Sequence, residues 1–482
     1  MMNSVTNRLA PVSTLLFGFL ALSGCGGSGS GSDEPLLEDA KILIEHNATD
    51  EDTGFQGFAD GEPWNTLTIT APGGGQILTA NTQGGFVDFG VTEFFFETSE
   101  PENAEVPIAD VLARLPAGTY TVTGDTVEEG EGSLDASLTH AIPAGPVLRT
   151  PADGAANVDP NNAVVSWDPV TVDINGADVT IVGYQVIVEE DAEPDFPQGF
   201  ARALFSVHLP ATATQVTVPN NFLVADACYE YEVLAIEASG NQTLASAAFQ
   251  TGTCTPPDDV DGPDSMKDAK ILIEHNSTDA DTGFQSFADG DPWNQLTISG
   301  PGNQPILTVN PQGGLLNFGL TELFFETSEP ENAEVPIADV LARLPAGTYT
   351  FIGDMVAGGA SMVMATLSHT IPAGPVLTSP AKDAEDVDPN NTIVSWNPVT
   401  VDINAQPVTI RGYQVIVEED KEVPDFPEGF AQPAFSIYLP ANATSVMVPT
   451  EFMKSGTEYE YEVLAIEESG NQTLSAASFE TQ

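Results

Sequence analysis

Apolar and polar residues alternate with a period of two along much of the chain. In residues 182–188, Val182, Tyr184, Val186 and Val188 fall on one face. In residues 229–236, Glu230 and Glu232 lie opposite Tyr229, Tyr231 and Val233. This alternation predicts half-buried β-strands. Further strands are expected at 163–169, 205–207, 216–218 and 244–249, with a turn at Ser239, Gly240 and Asn241. Nearer the N-terminus, 41–45, 67–70, 77–79, 86–96 and 119–123 read as strands, and 108–115 as one or two helical turns. Two faces carry histidine: Ile42, Ile44 and His46 share one, and Leu134, Ala136, Leu138 and His140 the other.

The pattern is written twice. The octapeptide at 40–47 recurs at 269–276, and the offset of 229 carries Trp64 onto Trp293, His140 onto His369 and Trp167 onto Trp396. After Glu189 and Glu418 the second copy has one extra residue, so Tyr231 matches Tyr461. A unit this long exceeds a solenoid repeat and is read as a duplicated two-domain cassette. The expected fold is all-β, tandem β-sandwiches: an Ig-like or jelly-roll-like sandwich of no named family at 38–145 and 267–374, each followed by a second sandwich at 146–254 and 375–482. Residues 255–266 contain Pro256, Pro257 and four aspartates and read as a stiff, solvated linker.

The second sandwich resembles the fibronectin type III family. The stretch Ser455-Gly-Thr-Glu-Tyr459-Glu-Tyr461-Glu-Val463-Leu-Ala465 is similar to that family's Pro-Gly-Thr-x-Tyr-x-Val-x-Val-x-Ala, departing at Ser455 and Tyr461. The resemblance implies that Tyr459 bonds upstream backbone through its hydroxyl, and that Trp167 fills the core. It implies a binding or spacing scaffold with no shared catalytic residues. No Arg-Gly-Asp occurs.

The N-terminus has a different character. Arg8 precedes a mostly apolar run over 9–22, too short to span a bilayer core of ~30 Å. It reads as an export signal over 1–24. Leu22-Ser23-Gly24-Cys25 resembles the bacterial lipobox, which implies that Cys25 becomes a diacylated N-terminus. Gly26 in place of Asp favours, by the same resemblance, the outer membrane of a Gram-negative cell. Residues 25–37 begin with a Gly/Ser run and read as a flexible tether. In this exported setting Cys228 and Cys254, one at each end of a predicted hairpin, are expected to form a disulfide.

Charge narrows the function. The 482 residues carry 71 Asp and Glu against 12 Lys and Arg, a net charge of −59. This excludes nucleic acid as a partner, which requires a basic footprint. With 41% hydrophobic residues the chain is no disordered polyanion. No Gly-x-Ser-x-Gly, His-Glu-x-x-His, Cys-x-x-Cys or phosphate loop occurs, so no enzyme is expected.

Two binding readings remain. Asp50 and Asp52, repeated as Asp279 and Asp281, place paired carboxylates on a turn, which suits calcium. A solvated acidic turn is the plainer alternative. Trp64 and Trp293, each in Pro-Trp-Asn, read either as sugar-stacking platforms or as core residues. His46 and His140 read as a metal-binding pair or as two satisfied core histidines. The expected function is a non-catalytic, lipid-anchored envelope protein for adhesion, presentation or spacing. Its partners would be the membrane, through the lipid, and a surface polysaccharide or protein. The alternative is a polysaccharide-binding accessory lipoprotein.

Overall fold

The structure is a computed structural model that describes residues 36–87, 89–127, 130–192, 204–256, 264–421 and 434–482. The segment read as an export signal, Cys25 and most of the segment read as a tether therefore lie outside the described residues.

The first copy comprises β1 (Leu37–Asn47), β2 (Asp52–Gly61), β3 (Trp64–Thr70), β4 (Gln76–Thr82), β5 (Val91–Thr98), α1 (Ile108–Leu112), β6 (Gly118–Thr126) and β7 (Glu131–Leu138). Its second module adds β8 (Val147–Thr150), β9 (Val164–Asp168), β10 (Ile181–Glu190), β11 (Leu204–Pro210), β12 (Gln215–Thr217), β13 (Cys228–Glu237) and β14 (Gln242–Gln250). The second copy opens with β15 (Met266–Asn276), β16 (Asp281–Gly300), β17 (Gln304–Pro311), β18 (Leu320–Thr327), α2 (Ile337–Leu341), β19 (Gly347–Met355) and β20 (Ala360–Leu367). It closes with β21 (Val376–Ser379), β22 (Ala384–Val387), β23 (Ile393–Asn397), β24 (Ile410–Glu419), β25 (Ala434–Pro440), β26 (Ser445–Met447), β27 (Glu458–Glu467) and β28 (Gln472–Thr481). The protein is all-β, as the alternation requires.

Each C-terminal module packs a three-stranded sheet, β8–β9–β12 or β21–β23–β26, on a four-stranded one, β11–β10–β13–β14 or its counterpart. This is fibronectin type III-like topology. Trp167 packs on Tyr184, with ring centroids 5.3 Å apart. The Lys454 backbone N–H donates to the Tyr459 hydroxyl at 2.8 Å, and Val224 does the same to Tyr229. Cys228 and Cys254 are disulfide-bonded, with Cα atoms 5.6 Å apart.

The tandem β-sandwiches expected are present, and the two copies are in addition joined to each other. They do not hang from a linker but share one sheet and two cores. β5 pairs antiparallel with β18, β4 with β17, and β11 with β25. At the centre of each junction a residue meets its own duplicate: Phe95 faces Phe324, Ala80 faces Val309, and Ser206 faces Ser436. This is the geometry of an isologous dimer, built within one chain. Short parallel junctions, Glu45–Asn47 against Gln242–Leu244 and its equivalent, tie the N-terminal domain to the C-terminal module of its own copy. The hydrogen-bonded order β1–β2–β5–β18–β16–β15–β28–β27–β24–β25–β11–β10–β13–β14 thus returns to β1 and closes a ring. Closure removes the sheet edges that would otherwise invite association. A second layer of the same sheet, β7–β6–β3–β4–β17–β16–β19–β20, is continuous with the ring through β16, and one apolar core drawn from both copies lies between the layers. A second core spans both C-terminal modules.

Smaller boundaries also move. Leu37 belongs to β1 and is buried, not part of the tether, because its side chain enters the apolar core between the layers. Met266 likewise opens β15 and is buried against that core, so the linker read at 255–266 ends before it. Phe86 lies in a 3₁₀ turn rather than in the following strand.

That 3₁₀ turn shows how close the copies are. A Cβ on Gly85 would lie 2.0 Å from the carbonyl oxygen of Arg343, and one on Gly314 would lie 1.8 Å from that of Arg114. Arg114 stacks over Phe318 and Arg343 over Phe89, again across the junction. Gly85→Ala with Gly314→Ala should therefore force the copies apart and lower stability by about 1–3 kcal/mol per site in urea unfolding; an unchanged midpoint would contradict this packing. A protease site placed within 257–263 should leave the cut halves co-eluting in size-exclusion chromatography, since the junctions and not the linker hold them.

Candidate metal centre

The face of the ring turned away from the second layer is polar, and period-two alternation puts it there. In β5, Phe94 and Phe96 enter the apolar core, so Glu93, Phe95 and Glu97 point the other way. In β18, Leu323 and Phe325 enter the core and Glu322, Phe324 and Glu326 oppose them. Antiparallel pairing then sets Glu93 against Glu326 and Glu97 against Glu322. All four are buried, at 7%, 2%, 5% and 2% exposure for Glu93, Glu97, Glu322 and Glu326. Like charges directly opposite each other destabilise a ladder.

Neighbouring strands add to the cluster. Ile42 and Ile44 fix the core face of β1, which turns Glu45 toward Glu97. Carboxylate oxygens of Glu45, Glu97 and Glu100 come within 4.8 Å of one another, and so do those of Glu274, Glu326 and Glu329. The Gln242 amide donates to Glu45, and Gln56 donates to Glu97 at 3.5 Å; Gln472 and Gln285 repeat this on Glu274 and Glu326. Glu93 Oε2 and Glu322 Oε2 are buried and accept no hydrogen bond. Glu93, Glu326 and Glu329 line a cleft of about 320 Å³ together with Glu38, Asp60 and Glu62.

Burial sets the protonation. It pushes Glu45 and Glu274 up to about 7 against the opposing glutamine hydrogen bonds. It holds Glu93 and Glu97 well above the carboxylate range, and the facing Glu326 and Glu322 add to this. Glu322, Glu326 and Glu329 are raised for the same first reason. Asp60 rises to about 7 through burial and then Glu38, whereas Asp289 reaches about 6 because Lys267 opposes the burial. Such a cluster at neutral pH is stable only with protons or a cation in it, since bare buried charges are too costly. Carboxylates suit a hard divalent ion.

The residues singled out in the sequence fare differently. Asp50 lies in the β1–β2 turn, and Asp52 opens β2. Asp50 Oδ2 accepts from Asn47 at 2.9 Å, and Asp279 Oδ2 accepts from Asn276 at 2.8 Å. Asp52 and Asp281 are each raised to about 7 by burial and then by Asp50 or Asp279. Neither pair belongs to the converging glutamate groups. Trp64 and Trp293 are 0% exposed, and Trp64 packs edge-on against Phe94. A buried ring offers no face to a sugar, so the stacking reading is corrected to a core role. His46 Nδ1 donates to the Asp52 carbonyl at 2.7 Å, and His140 Nε2 lies 2.9 Å from the Leu115 carbonyl oxygen. The two histidines are satisfied separately and form no pair. Sequence reasoning missed the glutamates, although Glu93-Phe-Phe-Phe-Glu97 carries a signal. Acids four apart on an apolar strand share one face, and an unbroken apolar run between them marks burial on both faces.

No family model matches the chain, and no curated protein is similar to it. Among solved structures, it is similar to a Ca²⁺-stabilized adhesin that helps an Antarctic bacterium reach out and bind ice, at 15% identity over 93% of this chain and 100% of that one, TM-score 0.17. A tetra-tandem repeat from the extending region of a large adhesion protein follows, at 13% identity over 92% and 100%, TM-score 0.15. The FN1–FN3 domains of chicken CNTN1 match at 12% over 69% and 96%, TM-score 0.18. Likeness at this level carries no weight for function.

The raised carboxylates fix the sign of the pH response. Between pH 5 and 8 the folded chain holds protons that the unfolded chain has released, so unfolding free energy falls as pH rises. Stability is fullest below about pH 4.5 and is lost as pH rises through about 7. In a chelator the melting temperature should drop by roughly 10 °C from pH 5 to 8. Glu97→Gln with Glu322→Gln should flatten the slope measured by calorimetry. An unaltered slope would assign the response to groups other than this facing pair.

Proposed function

We propose that the chain is a non-catalytic, lipid-anchored protein of the bacterial cell envelope that holds a stiff all-β body at the surface for adhesion or structural spacing. The observation that carries this reading is the fusion of both copies into one closed sheet. Four sandwiches joined by loops would bend at every linker; junctions through three strand pairs do not. The lipobox-like Leu22–Cys25 segment and the Gly/Ser run after it would attach this body to a membrane. The tether leads directly into β1, whose ladder with β2 runs from Leu37 to Asn47. Load on the anchor is therefore delivered to the central ring and not to a peripheral loop. Among the described residues no helix is long and apolar enough to cross a membrane. A polysaccharide-binding accessory role loses its main support with the burial of Trp64 and Trp293.

Cys25→Ala should move the protein from the membrane pellet to the soluble fraction after export, checked by fractionation with a carbonate wash. Deleting the chain should weaken attachment of cells to their surfaces, with restoration by the wild-type chain and not by the Cys25→Ala form. Retention of the variant on membranes, or restoration by it, would overturn the anchored reading.

A further inference from the structure

The two glutamate groups are related by the pseudo-twofold axis, and neither is made by one copy alone. Glu274, Glu326 and Glu329 of the second copy are joined by Glu93 and Asp60 of the first, as their shared cleft and strand pairing require. By the same symmetry Glu45, Glu97 and Glu100 of the first copy meet Glu322 and Asp289 of the second. Each site thus offers up to five carboxylates at the strand junction.

Two observations point beyond acidity to a ligand. Glu93 Oε2 and Glu322 Oε2 are enclosed and accept nothing, while the glutamates beside them are met by glutamine amides. The second observation is the one place where the copies differ in charge at these sites. At the mouth of the Asp289 site Lys267 places its ammonium 3.0 Å from Asp291. The equivalent positions at the Asp60 site are Glu38 and Glu62, both lining the cleft. One rim carries Lys267 beside Asp291; the other carries Glu38 beside Glu62, so an ammonium in one is a carboxylate in the other, at the margin of a cleft of about 320 Å³.

We infer that the junction of the two copies holds two divalent-cation sites, selective for calcium, and that the site rimmed by Glu38 and Glu62 binds more tightly than the one rimmed by Lys267. Calcium is favoured because five flexible carboxylates provide the 6–8 oxygens it takes, whereas magnesium demands a smaller, near-octahedral set and gives up its water reluctantly. Because both copies contribute ligands, the ions lock the junction; they cross-link the two halves of the body where Glu faces Glu.

Calcium alone, titrated calorimetrically into the chelator-treated full chain, should bind in two steps to two ions per chain. Magnesium at equal ionic strength should bind at least tenfold more weakly. Glu93→Gln with Glu326→Gln should abolish the tighter step, and Glu97→Gln with Glu322→Gln the weaker. At the exposed rim, Glu38→Lys should weaken the tighter step about tenfold and Lys267→Glu should strengthen the weaker one. These two rim changes lie outside the buried cluster and keep the test decisive if a glutamine variant fails to fold. The proposal is overturned by absent binding, by equal response to both ions, by rim changes without effect, or by steps that persist in all four glutamine substitutions, which would place the ions on the Asp50 and Asp279 turns.

Discussion

Two pairs of glutamates facing each other across the junction of β5 and β18 set the terms for everything around them. Were both members of a pair ionised with nothing between them, charges about 5 Å apart would repel by roughly 3 kcal/mol at an effective dielectric near 20, a cost that a proton or a cation relieves. The strands stay paired because the opposite face of the same residues is apolar: Phe94, Phe96, Leu323 and Phe325 are fully buried in one continuous core. At about 1.5–3 kcal/mol for each large side chain, that burial exceeds the repulsion. The ladder thus holds together on one face what the other pushes apart, and the conflict localises the chemistry of the molecule.

Duplication explains the symmetry but not the asymmetry. Residues at the three junction centres meet their own duplicates, as they would in a dimer of single cassettes. Once both copies lie in one chain, each half is free to change separately. Glu38 and Lys267 have diverged at the cleft. His208 and Tyr438 have diverged beside the β11–β25 junction, where burial lowers the histidine to about 4 and keeps it neutral.

The fibronectin-like modules also take part in the acidic cluster. Their outer faces form their own core around Trp167 and Trp396, while Glu462, Ile187 and Leu234 turn toward the ring interior. Glu462 is held well above the carboxylate range by burial and then by Glu274. Both layers therefore contribute acid to one space, and the lysines at its margin offset only part of that charge: Lys41 pairs with Asp39 and also favours the ionised form of Asp60, and Lys270 pairs with Asp268 and does the same for Glu322.

The sequence by itself determined the strands, the duplication and the type of the second module, because alternation, offset and the Tyr459 motif are local properties of the chain. It also placed Cys228 and Cys254 at the two ends of one hairpin, a matter of register about a single turn. Only tertiary structure decided the role of Trp64, which alternation could not distinguish from a surface platform, and the identity of the acidic cluster. Glu45, Glu97 and Glu100 are brought together by strand neighbours, and Glu322 by another copy more than two hundred residues away. Pairing between copies depends on which edges remain open once each sandwich has formed, a property of assembled sheets that no window of sequence contains.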